Sequence, residues 1–129
     1  MHLDELRDYC LAKRGAWEDQ PFGPDALVFK VRSKMFAITN LERMPPGVGL
    51  KCEPEQALLL REQFEGVTTG PYLNKKHWNL VQLQGDVPAD AIRRFVDVSY
   101  ALVVAGLTKK EREALAAEIG GANASREEA

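Results

Sequence analysis

The stretch Leu27-Val28-Phe29-Lys30-Val31-Arg32-Ser33-Lys34-Met35-Phe36-Ala37-Ile38-Thr39-Asn40 decides the fold class. Leu27, Phe29 and Val31 alternate with Val28, Lys30 and Arg32, which is the two-residue period of a strand. Ser33-Lys34 reads as a tight hairpin turn, and Met35 to Asn40 as the returning strand. Upstream, Pro21-Phe22-Gly23-Pro24-Asp25 makes a rigid turn after a candidate short strand, Trp17 to Phe22. Downstream, Arg43-Met44-Pro45-Pro46-Gly47 is a loop, after which Val48, Leu50 and Cys52 alternate with Gly49 and Lys51 in a further strand. Connections this short predict an antiparallel sheet.

Helical patterns flank the strands. Leu3, Leu6 and Cys10 form one stripe over residues 3–14, with Asp4, Glu5 and Asp8 early and Lys13 and Arg14 late, as the helix dipole favours. Pro54 opens a second helix carrying Ala57, Leu58, Leu60, Arg61 and Phe64, which Gly66 closes. Residues 67–76 read as a loop and Trp78 to Gln84 as a last strand. In residues 88–106, Ile92, Phe95, Val96, Ser99, Leu102, Val103 and Gly106 follow helical spacing and should face the sheet. Ser99 sits on that apolar stripe, where its hydroxyl is expected to bond back to a carbonyl of its own helix.

From Val98 onward the other side of this helix, with Tyr100, Ala101, Val104 and Ala105, is apolar too and needs a cover. Thr108 and Glu111 form a capping-box pattern for a helix over 109–119, whose Ala114, Leu115 and Ile119 could fold back as that cover. Gly106 and Thr108 favour the fold-back and hence a monomer; otherwise a two-fold homodimer would do the covering. The result is one α+β domain over residues 1–119, an antiparallel sheet with helices packed on it, and a flexible tail over 120–129. The expected core is Leu6, Leu27, Phe29, Val31, Phe36, Ile38, Leu50, Trp78, Phe95 and Leu102.

The chain has 129 residues, 45% hydrophobic and 28% charged, with a net charge of −2. That balance suits a soluble domain and provides no bulk electrostatic drive toward nucleic acid or anionic membrane. The charged N-terminus lacks the apolar segment of a signal peptide. The longest apolar-rich run, Val98 to Leu107, is shorter than the roughly 20 residues that span a bilayer. Cys10 and Cys52 are isolated thiols, in keeping with a reducing compartment. Together these predict a cytoplasmic protein.

Catalytic and cofactor motifs are missing. No glycine-rich loop precedes a helix in a phosphate-binding pattern, and Gly47-Val48-Gly49 enters a strand. His2 and His77 are the only histidines, so no metal cluster is spelled out and no cofactor is expected. Ser33, Ser99 and Ser125 have no adjacent base.

Charge placement says more. Residues 27–41 carry Lys30, Arg32 and Lys34 and no acid. They suit either a solvated sheet face guarded against edge pairing or a phosphate-binding surface. In Asn74-Lys75-Lys76-His77-Trp78 the lysines could neutralise phosphate, Asn74 and His77 could hydrogen-bond, and Trp78 could stack on a base or anchor the core.

Read in order, Pro21-Phe22-Gly23-Pro24-Asp25 with Leu27–Val31 and Lys34–Ala37, then Leu50-Lys51-Cys52 with Pro54, then Asn74–Trp78, then Ser99-Tyr100, resemble the MmcQ/YjbR family over about residues 3–107. The resemblance implies a compact α+β domain, likened to CyaY (frataxin-like) and secretion-chaperone-like folds. Its members are commonly labelled predicted DNA-binding proteins with a double-wing motif, and no catalytic residues come with the label. On that reading, wings around Ser33-Lys34 and residues 70–77 would approach DNA. Lys30, Arg32, Lys34, Lys75 and Lys76 would meet phosphates, with Asn74 or His77 at sugar or base edges. One departure stands out. The family often has histidine where Thr69-Gly70-Pro71-Tyr72-Leu73 places Tyr72. The alternative to DNA is a protein-interaction module using the apolar side of the 88–106 helix. A further reading is a ligand pocket near Tyr72, His77 and Trp78.

Overall fold

The computed structural model describes residues 1–118. Ile119 and the predicted tail, 120–129, lie outside the described residues. In chain order the elements are α1 (Leu3–Leu11), β1 (Ala16–Asp19), β2 (Ala26–Val31), β3 (Lys34–Asn40), β4 (Gly47–Lys51), α2 (Pro54–Gln63), β5 (Val67–Thr68), β6 (Trp78–Gln82), α3 (Ala89–Ala105) and α4 (Lys109–Ala116). The strands form one antiparallel sheet in the order β1-β2-β3-β4-β6-β5. The fold class is the α+β arrangement that the alternation predicts. The two-residue β5 lies inside the span read as loop. It is too short to display a period and exists because Val67 and Thr68 pair with Val81 and Leu80.

The deciding hairpin forms, with its turn one residue earlier than the pattern suggests. Val31 pairs with Lys34, so Arg32-Ser33 is the turn, and Arg32 takes φ 53°. The alternation of Arg32 with Val31 does not mark the strand's end, because the turn is set by the left-handed backbone there. The register then skips Phe36 (Lys30 pairs with Met35, but Phe29 with Ala37), so β3 carries a bulge.

All four helices lie to one side or at one end of the sheet. Phe29, Val31, Phe36, Ala37, Val48, Leu50 and Val81 pack with Leu6, Cys10, Ala91, Ile92, Val96 and Val103 into one buried core. Of the expected core, Leu6, Phe29, Val31, Phe36 and Leu50 are buried, whereas Leu27, Ile38, Trp78, Phe95 and Leu102 are half-buried. Phe95 instead sets its ring edge-on to Phe64 of α2, with centroids 6.4 Å apart. Tyr100, expected to point away from the sheet, turns toward it. Its ring meets Phe36 edge-on at 5.3 Å and its hydroxyl donates to the Arg14 carbonyl at 2.6 Å.

Ser99 does not bond within its own helix. Its fully buried hydroxyl donates to the Phe36 carbonyl (2.6 Å) and accepts from the Lys51 N–H (2.9 Å). Since Ala37 pairs with Leu50, Phe36 and Lys51 are the next partners in the β3–β4 register. The serine therefore bridges the two strands one step beyond their last pair, where the ladder itself does not continue.

The chain after α3 does fold back. Thr108 caps α4 by accepting from the Glu111 N–H (3.1 Å). Leu115 is buried over Gly15, where φ is +70° and an added Cβ would lie 2.6 Å from Leu115 Cδ1. Among the described residues no helix is long and apolar enough to cross a membrane.

Replacing Ser99 with Ala should leave the Phe36 carbonyl and the Lys51 N–H buried without a partner. The expected loss is about 1–3 kcal/mol, read from urea unfolding midpoints. A loss below about 0.5 kcal/mol would show that water or a repaired ladder satisfies both groups.

Candidate functional site

The side of the sheet away from the helices is built around β4. Val48 and Leu50 point into the core, so Gly47 and Gly49 fall on the opposite face and contribute only backbone there. Met35 and Ile38 from β3 and Leu80 from β6 flank this strip. An added Cβ at Gly49 would lie 2.7 Å from Leu73 Cδ1 and 2.8 Å from Ile38 Cγ2, so glycine lets Leu73 rest directly on the strand. The loop Gly70-Pro71-Tyr72-Leu73 forms one wall and Phe22, from the Pro/Gly turn, stands at another. Together they enclose an open groove of about 670 Å³.

Its rim is unusually apolar for a water-facing edge. Phe22 is 68% exposed and Tyr72 is wholly exposed. Tyr72 also holds φ at 64°, a left-handed conformation costly for a residue with a side chain. The polar lining is Asn40 and the half-buried Arg43. Asn40 Oδ1 accepts the Glu42 N–H (2.9 Å), while its amide NH₂ has no partner among the described residues. The Arg43 guanidinium has no hydrogen bond or ion pair among the described residues, and no Asp or Glu of those residues lines the groove.

The basic residues singled out in the sequence sit elsewhere, in two groups. In the first, every cation is engaged inside the molecule. Lys30 pairs with Asp19 (3.2 Å) and lies over the Trp17 ring at 5.0 Å. Arg32 pairs with Glu118 (3.5 Å), and Lys34 donates to the Gly106 carbonyl at the end of α3 (3.1 Å). Ser33 gives both its N–H (3.2 Å) and its hydroxyl (2.8 Å) to Glu111 of α4. Because Arg32 is a turn residue, it does not share a strand face with Lys30 as the alternation predicted.

The second group is a tightly tied loop. Asn74 Oδ1 accepts the Lys76 N–H (2.9 Å), and its carbonyl accepts from the N–H groups of His77 (3.2 Å) and Trp78 (2.9 Å). Arg61 of α2 donates to the Lys75 carbonyl (2.9 Å) and to buried Asn79 (2.8 Å). Lys75 and Lys76 remain exposed and without an ion pair among the described residues. His77 and Trp78 are half-buried. Register places Lys34, Lys51 and Trp78 at the same end of their strands, so the 32–33 turn and the end of the 70–77 loop lie at one end of the sheet.

The thiols are poor nucleophiles. Burial pushes Cys10 up to about 12 and raises Cys52 as well. No group of three His, Cys, Asp or Glu among the described residues could hold a metal ion.

Of the pocket expected near Tyr72, His77 and Trp78, only Tyr72 lines this groove, and its floor on β4 was not anticipated. Its one legible signal was Gly47-Val48-Gly49, which puts both glycines on the same face of a strand.

Comparison with known proteins agrees with this architecture. The family model described as YjbR matches residues 11–102. The "Uncharacterized protein YjbR" of Escherichia coli K12 is 38% identical over 115 residues, spanning 89% of this chain and 98% of that one. The "Uncharacterized protein YbdF" of Escherichia coli O157:H7 is 33% identical over 72% of this chain and 76% of its own. The crystal structure of Deinococcus radiodurans protein DR2400, with a DUF419 family-model domain, superposes with a TM-score of 0.82 at 38% identity, covering 88% of this chain and 87% of that chain. A Pseudomonas syringae crystal structure superposes at 0.69 with 27% identity, over 79% of this chain and 98% of that chain.

The tether between Ser33 and Glu111 has a pH signature. The Ser33 hydroxyl, helped by the Ser33 backbone N–H, holds the Glu111 carboxyl below its ordinary value of 4.5. A carboxylate lowered on folding adds stability above its unfolded value and loses it as pH falls through the folded value. The Ser33 amide resonance should therefore titrate with a midpoint below 4.5, and Glu111→Gln should abolish that titration. A pH-independent Ser33 amide would show the contact is not made in solution.

Proposed function

The chain belongs to the YjbR family, and on that premise we propose that it is a non-enzymatic binding domain that works through the helix-free face of its sheet. The observation that carries this is the glycine-floored groove, lined by Met35, Ile38, Leu73 and Leu80 and rimmed by exposed Phe22 and Tyr72. Exposed apolar surface that keeps no partner of its own costs solubility, and on a folded domain it marks a binding surface. Its volume is within the range of about 300–1,000 Å³ typical of small-molecule sites.

Nile red, a neutral apolar dye, should bind the folded protein with enhanced fluorescence. Met35→Trp and Leu80→Trp, which fill the groove from β3 and from β6, should each remove the signal. Thermal melts of both variants should stay within a few degrees of the parent. Undiminished dye binding in two folded variants would overturn the assignment.

A second reading, DNA binding, draws on the 32–33 turn and the 70–77 loop reaching the same end of the sheet and on exposed Lys75 and Lys76. The electrostatics favour it less. The cations of the first wing are already engaged, and Glu111 and Glu118 stand beside them. Two free lysines would release about two counterions, so the log–log dependence of affinity on salt should have a slope near −2. Anisotropy of a labelled duplex at low salt tests this. Changing Lys75 and Lys76 together to Glu should abolish binding. A slope much steeper than −2 would mean the first wing opens and its cations take part.

A further inference from the structure

Resting on the groove reading above, we infer that the natural occupant of the groove is a small amphipathic carboxylate, with an apolar body on the glycine floor and its anionic head at Arg43. The lining is apolar except at one end, where Asn40 and Arg43 stand together in the turn after β3. The Arg43 N–H donates to the Asn40 carbonyl at 3.3 Å, which fixes the two residues side by side. Arg7 at the neighbouring depression is bonded to Glu18 (3.0 Å). The Arg43 guanidinium is half-buried at an apolar mouth and has no partner among the described residues.

A guanidinium in that position gains most from a ligand acid, because a charge-assisted pair is stronger where water is partly excluded. The number of donors selects the head group. One guanidinium fork and one amide NH₂ match the planar, singly charged carboxylate in geometry and charge. A phosphate monoester would bring nearly two charges to a single cation. The apolar body follows from the floor and walls, where Ile38, Leu73 and Leu80 offer no hydrogen bonds. Exposed Phe22 and Tyr72 are placed to close over a ligand that reaches past the mouth.

The test is a titration of the ¹⁵N-labelled full chain, followed by amide shifts, with three probes: decanoate, decanol and acetate. Decanoate should move the amides of Ile38, Gly49, Gly70 and Leu80 and the side-chain amide of Asn40. Decanol should move the floor amides without Asn40, and acetate alone should be too weak to register. Arg43→Gln removes the charge from a side chain with no partner, so the fold should be untouched. It should weaken decanoate about tenfold, as for loss of one charge-assisted hydrogen bond, and leave decanol unchanged. Decanoate and decanol binding alike, both indifferent to Arg43→Gln, would overturn the carboxylate assignment while leaving the groove reading in place. Absence of groove shifts with either long-chain probe would overturn both. Decanoate shifts confined to Lys75 and Lys76 would overturn the inference in favour of a non-specific cationic surface.

Discussion

A single buried hydroxyl determines how this sheet and its main helix meet. Ser99 takes the Phe36 carbonyl and the Lys51 N–H that would otherwise bond to each other, and so it occupies the gap between β3 and β4. Without it the buried Phe36 carbonyl would go unanswered, a cost comparable to the net worth of several surface contacts. With it, α3 is keyed to the sheet at a fixed height. That height seats the Tyr100 ring against Phe36 and carries its hydroxyl to Arg14, tying the segment after α1 to the same point. Burial of Ile92 and Val96 also holds α3 to the sheet, but it is non-directional; the serine supplies the register.

The packing of all helices on one side leaves the other face of the sheet to loops. The 41–46 turn and the 70–73 wall approach from the edges, and neither brings a regular element across the middle. The groove is thus a consequence of topology as much as of side chains. A six-stranded sheet with a single helical layer has one face that must be polar, self-covered or used. Here its strip over β4 is apolar and only partly covered.

The sequence made the period of the strands and the stripe of α3 legible, because both follow from the repeat of backbone geometry. What it could not convey was pairing. The bulge at Phe36, the Arg32-Ser33 turn and the short β5 are each fixed by a partner strand distant in the chain. Ser99 was noticed as polar on an apolar stripe, yet its partners come from β3 and β4 and could not be seen locally. The charges tell the same story. Lys30, Arg32 and Lys34 look free in a run without acids, and their partners Asp19, Glu118 and the Gly106 carbonyl arrive from three other segments. Lys75 and Lys76, by contrast, remain as exposed as the local pattern suggests.

The trough over β4 is floored by main chain, and this restricts how its shape can change. A side chain at Gly49 would collide with Leu73 and Ile38, and one at Gly47 would press on Leu80 and the Val81 carbonyl, each 3.2 Å from an added Cβ. The floor is therefore a fixed surface, identical for whatever rests on it. Discrimination between ligands falls to the walls, to the Phe22 turn, the Arg43 turn and the Tyr72 loop, which can exchange residues or lengths without disturbing a single strand pairing. A scaffold divided in this way can alter what it holds while its sheet stays the same.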